Sequence, residues 1–516
     1  MPSRARSTQR TAPRSRRPRS TLAPLAVIDI GSNSGRVTVM RLHPSGHLDV
    51  LADARMPLRL AREVDAGRRL GPQVIERTLE ALHDFRAVAL GAGATSILAV
   101  ATSAVREAAD GADLVQLARQ RLGIKLVIID GEREAAFAFL GAVHGLPVDH
   151  GYLLDLGGGS LEVTHFRDRV LQRTWTLPLG ALRVSYRFLR SDPPPRSELL
   201  RLRKAVIKTL RKSGIPRLAA DELLIGTGGT IRNIAKIESR SHRDAMPSVH
   251  GTILERSRIA SLERRAARLR QSARAGIPGL NKDRADSFLG GLVTVACTME
   301  VLGAKTLQVS GQGLREGIAL ATLGKSPLPA STVRRASLEA LVRRFATFDR
   351  DVARRRTRIA LRFLEVLDPS ATEELYETLV HVCTVLDVGR SIDYYERYRN
   401  AAVILAAADL QGFTQRGIAL AFAVLMHADN AANRIKSLRP LLQNGDSVLV
   451  ERAATLLLLA DEVERRTLPG QSVAMRSRLT ARELVLRSDP LAGWRPRSLG
   501  DRFRRAFGRE LHIDRT

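Results

Sequence analysis

The segment LAVIDIGSNSGRVTVMRL, residues 25–42, decides the fold, and its layout recurs in YLLDLGGGSLEVTHF at residues 152–166. In both segments an apolar strand ends close to an aspartate, a turn rich in glycine and serine follows, and a second strand begins directly after the turn. Each copy continues into a third strand and then alternates helices with strands. Two copies of one layout between residues 25 and 325 predict a duplicated α/β architecture with a cleft between the halves.

Hydrophobic periodicity predicts the elements that follow the first three strands. Apolar residues recur on one face of a helix over residues 74–87, and SILAVAT at 96–102 has the composition of a buried strand. A helix over 111–122, the strand KLVIID at 125–130 and a helix from residue 131 complete the first copy. The same order of helix, strand and helix recurs in the second copy.

Length and composition restrict the class of protein. A chain of 516 residues exceeds the size of one hydrophobic core, and 44% hydrophobic with 26% charged residues is typical of a globular protein. Two cysteines, Cys297 and Cys383, exclude a disulfide framework and a cysteine-based metal site. The longest apolar stretches, 401–408 and 417–426, are shorter than the ~20 residues that span a bilayer. With no secretory signal visible, we expect a cytoplasmic protein.

The chain is strongly basic, with 82 lysine and arginine residues against 53 acidic ones and a net charge of +29. Such a balance favours polyanionic partners such as nucleic acid or polyphosphate. Residues 1–24 contain seven arginines and no acidic residue, and they show no apolar periodicity. We predict a disordered basic tail there, either a solvated extension or a polyanion-binding arm.

The composition changes again near residue 325. KSPLPAS at 325–331 contains two prolines without periodicity and is predicted to be a linker. Beyond it, long amphipathic stretches of arginine, leucine and alanine predict an all-α third domain. The expected organisation is a first lobe over 25–147, a second lobe over 148–325 and a helical domain over 326–516.

Three glycine-rich turns, DIGSNSG at 29–35, DLGGGS at 155–160 and GTGGT at 226–230, each follow an apolar strand. Such turns expose several backbone N–H groups around a concave anion site. One such turn alone is usually structural, but three at related points of a duplicated fold predict phosphate binding. None matches the P-loop or dinucleotide fingerprint. The candidate phosphate-binding residues are Ser32, Asn33, Ser34, Gly158, Gly159, Ser160, Gly228, Gly229 and Thr230.

Acidic side chains accompany these turns. Asp29 and Asp155 each stand at the end of a buried strand, and Glu162 follows the second turn on the next strand. Carboxylates beside phosphate-binding turns are typical ligands of Mg²⁺, although an aspartate can also cap its own turn. The equivalent positions of Asp29 and Asp155 favour the metal interpretation, with Mg²⁺ as the cofactor.

Two helix starts add further candidates. In ATSAVREA at 101–108, Thr102 lies near a helix start and Arg106 one turn later, a combination that can clamp a phosphate. In GEREAAFAFL, Glu134 lies in the first turn of a helix that begins where a strand of the first lobe meets the cleft. Acidic residues in a first turn commonly complement the helix dipole, and the position of this helix makes Glu134 a catalytic candidate.

Taken together, these segments resemble the exopolyphosphatase / guanosine pentaphosphate phosphohydrolase family. That family belongs to the superfamily of sugar kinases, the 70-kDa heat-shock proteins and actin, whose duplicated lobes are ribonuclease H-like. The resemblance covers residues 25–325 and includes SVHG at 248–251, GLNKDRADSFLGG at 279–291 and VSGQGLREG at 309–317. It implies a hydrolase acting on phosphoric anhydrides. Such an enzyme releases terminal orthophosphate from linear polyphosphate, or the 5′ γ-phosphate from guanosine pentaphosphate.

The resemblance also implies roles for single residues. Glu134 takes the place of the family's catalytic base, and Asp155 and Glu162 correspond to the residues that act on Mg²⁺ and the attacking water. This chain departs from the family pattern at Arg133, where a glutamate is usual, and at Leu161, where a threonine is usual. We expect Leu161 to remove one hydroxyl from beside the site.

The C-terminal domain resembles the family's helical extension, which is related to metal-dependent HD phosphohydrolases. Leu386 stands where the histidine of the His-Asp pair would precede Asp387, and tyrosines occupy the stretch where a further histidine is expected, at 394, 395 and 398. We therefore expect no second metal site, and structural roles for His381 and His427. Homodimer contacts and guidance of a long anionic chain are the functions that the resemblance and the many arginines suggest.

Three functions stay open on the sequence. The first is an exopolyphosphatase, and the second is a guanosine pentaphosphate phosphohydrolase, which would act in the stringent response. The residues that we can align do not separate these two. A non-enzymatic protein that binds nucleic acid through its arginines is the third, and the presence together of Asp29, Glu134, Asp155 and Glu162 argues against it.

Overall fold

The computed structural model describes residues 23–242, 246, 248–324, 327–468, 471, 475–488 and 491–514. Nearly all of the predicted basic tail and the first two residues of the predicted linker lie outside these ranges. Within them, the chain forms two α/β lobes followed by a region that is mainly helical.

The first lobe is built on a five-stranded sheet with the strand order β3-β2-β1-β4-β5. β1 pairs antiparallel with β2 and parallel with β4, which is the ribonuclease H-like arrangement. The strands are β1 Leu25–Ile30, β2 Ser34–Leu42, β3 Leu48–Pro57, β4 Ser96–Ala101 and β5 Leu126–Ile128. The helices are α1 Leu60–Gly67, α2 Pro72–Gly91, α3 Ser103–Glu107, α4 Gly111–Leu122 and α5 Gly131–His144.

The second lobe repeats this plan. Its strands are β6 Gly151–Leu156, β7 Leu161–Arg167, β8 Val170–Leu177, β9 Leu223–Thr227, β10 Ile253–Glu255 and β11 Thr306–Val309. β6, β7 and β8 form an antiparallel meander, and β9 and β11 continue the sheet in parallel to β6, as β4 and β5 do beside β1. Its helices are α6 Ala181–Phe188, α7 Arg196–Lys212, α8 Gly229–His242, α9 Arg256–Ala267, α10 Gln271–Arg274, α11 Phe288–Leu302 and α12 Leu314–Ala321. The predicted duplicated α/β fold is confirmed.

The last helix of the predicted second lobe, α12, packs on the first lobe. Ile318 and Leu320 share an apolar cluster with Val27 and Met40 of the first sheet. α12 also lies directly against α5, because a Cβ atom at Gly317 would collide with the carbonyl oxygen of Phe137. The chain therefore crosses back between the lobes beside the cleft and ties them together.

The C-terminal region is helical but not all-α. Its helices are α13 Ala330–Val342, α14 Arg350–Leu367, α15 Glu373–Val385, α16 Arg397–Ala407, α17 Gln415–Ala428, α18 Asp446–Glu464 and α19 Arg497–Phe507. The region also contains a small sheet with the strand order β12-β13-β14, formed by β12 Arg476–Leu479, β13 Glu483–Arg487 and β14 Glu510–Asp514. The prediction of an all-α domain is wrong here. In strands of only four or five residues, an alternating pattern is too short to distinguish from a helical one.

One loop of the C-terminal region contacts both lobes. The Gln411 side chain donates a hydrogen bond to the Leu48 carbonyl at 3.4 Å, and the Gly412 N–H donates to the Gly145 carbonyl at 2.7 Å. Gln415 donates to Thr252 Oγ1 of the second lobe at 2.8 Å. The helical region is therefore packed across the two lobes. No helix among the described residues is long and apolar enough to cross a membrane.

Candidate active site

The two duplicated turns have the same backbone geometry. The Gly31 N–H donates to the Ser34 carbonyl at 3.2 Å, and the Gly157 N–H donates to the Ser160 carbonyl at 3.1 Å. The turns meet across the cleft, since a Cβ atom at Gly159 would lie 2.9 Å from Ser32 Oγ. A side chain at Gly159 would thus displace the facing turn, and glycine is needed for this close approach.

A cavity of about 120 Å³ lies between these turns. Helices α8 and α12 begin at it with Gly229 and Leu314, so the positive ends of two helix dipoles and their free N–H groups face the same space. Eleven of the predicted site residues line the cavity. They are Asp29, Ser32, Asn33, Ser34, Thr102, Glu134, Asp155, Gly158, Ser160, Gly228 and Gly229.

Other predicted residues lie behind this lining. Arg106 donates to the Ile129 carbonyl at 2.6 Å and to Glu134 Oε2 at 3.1 Å, so its guanidinium holds the glutamate. Thr230 is buried against α11, where a Cβ atom at Gly291 would come within 2.8 Å of its methyl group. Thr230 therefore packs away from the cavity, and Gly159 shapes the turn.

Glu162 is buried on β7 directly opposite Asp155 on β6. Partners in an antiparallel pair point to the same face of the sheet, so the two carboxylates belong to one cluster with Glu134. Burial raises the pKa of Glu162 well above its ordinary value, and the charges of Glu134 and Asp155 raise it further. Removal from water, more than the neighbouring charges, therefore disfavours the ionised form of Glu162.

The pKa values of the other carboxylates are raised as well. Burial raises the pKa of Glu134, Arg106 opposes that shift and Asp155 adds to it, and the net pKa is about 7. Burial also raises the pKa of Asp155 to about 6 and raises that of Asp29, despite the nearby guanidinium of Arg315. A buried carboxylate with a pKa near neutrality is suited to accept a proton during a reaction.

Two oxygens in this cluster have no hydrogen-bond partner among the described residues. They are Oδ1 of Asp29 and Oε1 of Glu162. Buried oxygens without partners are costly, and hard oxygen ligands are those that Mg²⁺ takes. Within the described ranges no three acidic, histidine or cysteine side chains are close enough to form a metal site by themselves. Any Mg²⁺ held here would therefore need water and phosphate oxygens to complete its ligands, which this ion commonly takes.

Sequence reasoning missed four arginines that line the cavity, Arg36, Arg232, Arg284 and Arg315. In the part of the chain that the structure describes, the first three form no ion pair with a carboxylate, and Arg315 reaches only Glu316, at 4.0 Å. Burial, together with repulsion by Arg315, lowers the pKa of Arg36 to about 10. Burial and repulsion by Arg55 lower the pKa of Arg284 to about 9. Guanidinium groups held in this way are suited to bind phosphate.

One of these arginines has a signal in the sequence. Arg36 follows Asp29 by seven residues, as Glu162 follows Asp155, and each pair stands opposite on neighbouring strands. The equivalent positions of the two lobes thus carry opposite charges. Arg284 and Arg315 lie in the motif segments 279–291 and 309–317, and Arg232 lies two residues after the GTGGT turn, but their spacing did not indicate that they converge.

The structure corrects the expectation for Leu161. This side chain is 1% exposed and belongs to the apolar core of the second lobe. Successive residues of a strand point to opposite faces, so position 161 faces the core and Glu162 faces the carboxylates. A threonine at 161 would not place its hydroxyl beside the site. Arg133, the other departure, is exposed, and its N–H is held by the Asp130 side chain at 2.8 Å.

Two ribonuclease H-like lobes that enclose buried carboxylates, unpaired arginines and glycine turns define a phosphate-processing enzyme. The chain belongs to the Ppx/GppA phosphatase family, whose model matches residues 39–326, more than half of the sequence. The match ends at the start of the C-terminal helical region.

Relatives and solved structures agree with this assignment. Exopolyphosphatase 1 of Mycobacterium tuberculosis is 29% identical over 326 residues, which cover 62% of this chain and 94% of the relative. The crystal structure of the Aquifex aeolicus Ppx/GppA family member is 26% identical, covers 58% of this chain and 97% of its own, and has a TM-score of 0.52. An exopolyphosphatase structure from Cytophaga hutchinsonii, 21% identical with 58% and 98% coverage, has a TM-score of 0.55 and shows the shared fold.

Proposed function

We propose that this protein is an exopolyphosphatase, which hydrolyses the terminal phosphoanhydride bond of linear polyphosphate and releases orthophosphate. The observation that carries the proposal is the presence, in one cavity, of the Glu134 carboxylate, whose side chain is only 12% exposed, together with four arginines that line the same space. Hydrolysis of a phosphoanhydride requires a base for the attacking water and positive charge on the phosphate oxygens, and this cavity offers both. The names of the relatives support the same activity.

In the proposed reaction, Glu134 accepts a proton from a water molecule. The water oxygen forms a bond to the terminal phosphorus, and the bridging P–O bond breaks, so the shortened chain leaves with the bridging oxygen. Arg106, at 3.1 Å from Glu134, fixes the orientation of the carboxylate. A pKa of about 7 lets Glu134 be ionised before the step and take up the proton during it.

The remaining groups bind the phosphates. The arginines and the N–H groups of the glycine turns would donate hydrogen bonds to the non-bridging phosphate oxygens, which carry charge in the transition state. Asp29, Asp155 and Glu162 would hold Mg²⁺ partly through its bound water, since they do not form a set of three direct ligands, and the ion would supply further positive charge to the phosphate oxygens. The partnerless oxygens of Asp29 and Glu162 support this assignment.

The lining of the cavity favours an inorganic substrate. Among the described residues that line it, none is aromatic, and the set consists mainly of glycine, hydroxyl, carboxylate and guanidinium groups. A guanine base is usually recognised by stacking on a flat side chain, which this cavity does not offer. Guanosine pentaphosphate is the alternative substrate that the experiment must exclude.

The test measures orthophosphate release by the purified full chain with Mg²⁺, comparing long-chain polyphosphate with guanosine pentaphosphate. We expect release from polyphosphate, lowered by roughly 10²–10⁴-fold in Glu134→Gln, because a general base contributes about that factor. The matched control is Glu132→Gln, an exposed acid in the same helical turn, which should keep the wild-type rate. Release from the nucleotide alone would contradict the proposed substrate, and an unchanged rate in Glu134→Gln would contradict the mechanism.

A cytoplasmic homodimer is also proposed, on the expectation from the sequence. Exposed apolar side chains in the C-terminal region support a contact surface there, with Ile392 at 65% and Tyr395 at 86% exposure. Light scattering of the purified chain should give twice the mass of one chain, and Tyr395→Glu should lower it. A monomeric mass for the unaltered protein at micromolar concentration would contradict the dimer.

A further inference from the structure

A groove of about 650 Å³ lies in the C-terminal region, outside the cavity between the lobes. It is formed by one face each of α13, α14 and α15, and we call it the helical groove. On α14, its lining residues Arg350, Arg354, Arg358 and Leu361 recur at the spacing of one helical face. The groove is therefore built mainly from helices, and the segment between α13 and α14 adds Arg343 and Phe348.

The floor of the helical groove is apolar. Leu338 of α13, Leu361 of α14 and Val380 of α15 contribute carbon surface from all three helices. Two aromatic rings lie at its edge, Phe348 and Tyr376, and Tyr376 is 44% exposed. An exposed aromatic ring above an apolar floor is a surface on which a flat ligand can stack.

The walls carry an excess of positive charge. Six arginines and two glutamates line the groove; they are Arg334, Arg335, Arg343, Arg350, Arg354, Arg358, Glu339 and Glu377. The glutamates are already engaged, Glu377 by Arg334 and Glu339 by Arg343 at 3.2 Å and Arg350 at 3.6 Å.

The other three arginines, Arg335, Arg354 and Arg358, form no ion pair with any described residue, and all three are exposed. Unpaired guanidinium groups beside an apolar floor complement a ligand that is anionic at one end and flat and apolar at the other.

We propose that the helical groove binds a purine nucleotide with two or more phosphates, its base on the apolar floor beside Tyr376 and its phosphates on Arg335, Arg354 and Arg358. Its volume lies within the range of roughly 300–1,000 Å³ that is usual for small-molecule sites. An inorganic polyphosphate would leave the floor and the aromatic ring unused. The proposal is independent of the reaction in the cavity between the lobes, because it concerns binding at a separate place.

The test is isothermal titration calorimetry of the full chain with the non-hydrolysable analogues of ATP and GTP that carry a β,γ-imido group. Inorganic tripolyphosphate and adenosine are titrated separately to represent the phosphate and base portions alone. Because tripolyphosphate can also occupy the cavity between the lobes, binding at the groove is taken as the part that Arg354→Glu with Arg358→Glu removes. At the groove we expect either nucleotide to bind at least about tenfold more tightly than tripolyphosphate, because stacking of a base adds roughly that factor. Equal binding of tripolyphosphate would overturn the role of the apolar floor.

Variants locate the site. Arg354→Glu with Arg358→Glu should weaken nucleotide binding by about tenfold or more, as expected for losing charge-assisted contacts. The matched control, Arg201→Glu with Arg362→Glu, makes the same charge change at exposed helical positions outside the groove and should bind within about twofold of wild type. Equal affinity in these two double variants would overturn the proposal.

Two further variants distinguish loss of the binding site from a folding defect and from binding of the nucleotide elsewhere. Tyr376→Ala should weaken nucleotide binding about fivefold or more and leave tripolyphosphate binding unchanged, because it removes only the stacking surface. Arg232→Ala, in the cavity between the lobes, should leave nucleotide binding unchanged. Loss of binding in Arg232→Ala but not in the groove variants would place the nucleotide between the lobes and overturn the assignment.

Discussion

The protein contains two buried clusters of acidic and arginine side chains, and they are built in opposite ways. In the C-terminal cluster, Arg356 donates to both oxygens of Asp387 at 3.0 and 3.1 Å and to Asp461 at 3.1 Å. Arg397 and the Tyr398 hydroxyl donate to the second oxygen of Asp461 at 2.6 and 2.8 Å. In the cavity between the lobes, by contrast, oxygens of Asp29 and Glu162 lack partners among the described residues.

The pKa shifts follow this difference. Burial alone would lower the pKa of Arg356, but Asp387 and Asp461 outweigh burial and raise it. Burial would likewise raise the pKa of Asp461, yet Arg356 and Arg397 lower it. Between the lobes burial prevails, and the pKa values of the carboxylates rise while those of Arg36 and Arg284 fall. Buried charges that pair with one another become costly to the fold when one partner is removed, whereas buried charges without partners are typical of a ligand-binding site.

The comparison also bears on the position that resembles a metal ligand of HD phosphohydrolases. Both oxygens of Asp387 accept hydrogen bonds from Arg356. A carboxylate engaged in this way joins α14 to the segment after α15, and its role is structural. The prediction that the C-terminal domain lacks a second metal site rests on the missing histidines. The contacts with Arg356 show in addition that Asp387 is a partner in a buried ion pair.

The largest effect is expected from a substitution in the C-terminal cluster, where the buried charges are paired. Arg356→Leu leaves Asp387 and Asp461 buried without their main partner, and it should lower the free energy of unfolding by roughly 3–5 kcal/mol. Urea unfolding followed by circular dichroism measures the change, with exposed Arg362→Leu on the same helix as the control. A loss below about 1 kcal/mol would show that the cluster contributes little to stability.

The next prediction concerns the loss of one arginine from the cavity between the lobes, where the charges lack partners. Arg232→Ala should lower kcat/KM for polyphosphate by about 10–100-fold, the value of one hydrogen bond to a charged group. Its thermal unfolding temperature should stay the same or rise, because repulsion from Arg315 disappears. Arg240→Ala, exposed on the same helix, is the control. If Arg232→Ala unfolds the protein, the arginine between the lobes is needed for stability, and the contrast with the C-terminal cluster is wrong.

The pH dependence tests the raised pKa of Glu134. Because the proposed base acts when ionised and its pKa is about 7, kcat/KM should rise about tenfold between pH 6 and pH 8. Initial rates of orthophosphate release over this range measure it, with buffers of constant ionic strength. A rate that is already constant from pH 5.5 upwards would mean that the working base has an ordinary carboxyl pKa.

The smallest expected effect is on the free energy of unfolding, which the buried Asp29 carboxylate lowers when it is ionised. The raised pKa of Asp29 means that the folded state holds its proton more tightly, so ionisation destabilises the fold as the pH rises above about 4. Asp29→Asn should therefore be more stable by roughly 0.5–2 kcal/mol at pH 8, with the difference shrinking towards pH 4, and should lose activity. Exposed Asp84→Asn is the control. A less stable Asp29→Asn at pH 8 would show that the carboxylate is satisfied after all.

Much of the fold could be predicted because the information is local. A strand, a glycine turn and a second strand are adjacent in sequence, and a period of two or of 3.6 residues identifies each element on its own. The α12 return to the first lobe and the strands β12, β13 and β14 were missed. A helix's packing partner leaves no local pattern, and alternation over four or five residues is ambiguous.

By itself, the sequence determined the duplicated layout, the three turns and the acidic candidates Asp29, Glu134 and Asp155, since each belongs to a motif with its own spacing. Only the tertiary structure decided which arginines meet them. Arg36, Arg232, Arg284 and Arg315 come from separate parts of both lobes, and only the packing of the lobes brings them to one cavity. It also decided that Thr230 points away and that Leu161 faces the core. The direction of a side chain depends on neighbours that are distant in the chain, and no spacing in the sequence encodes them.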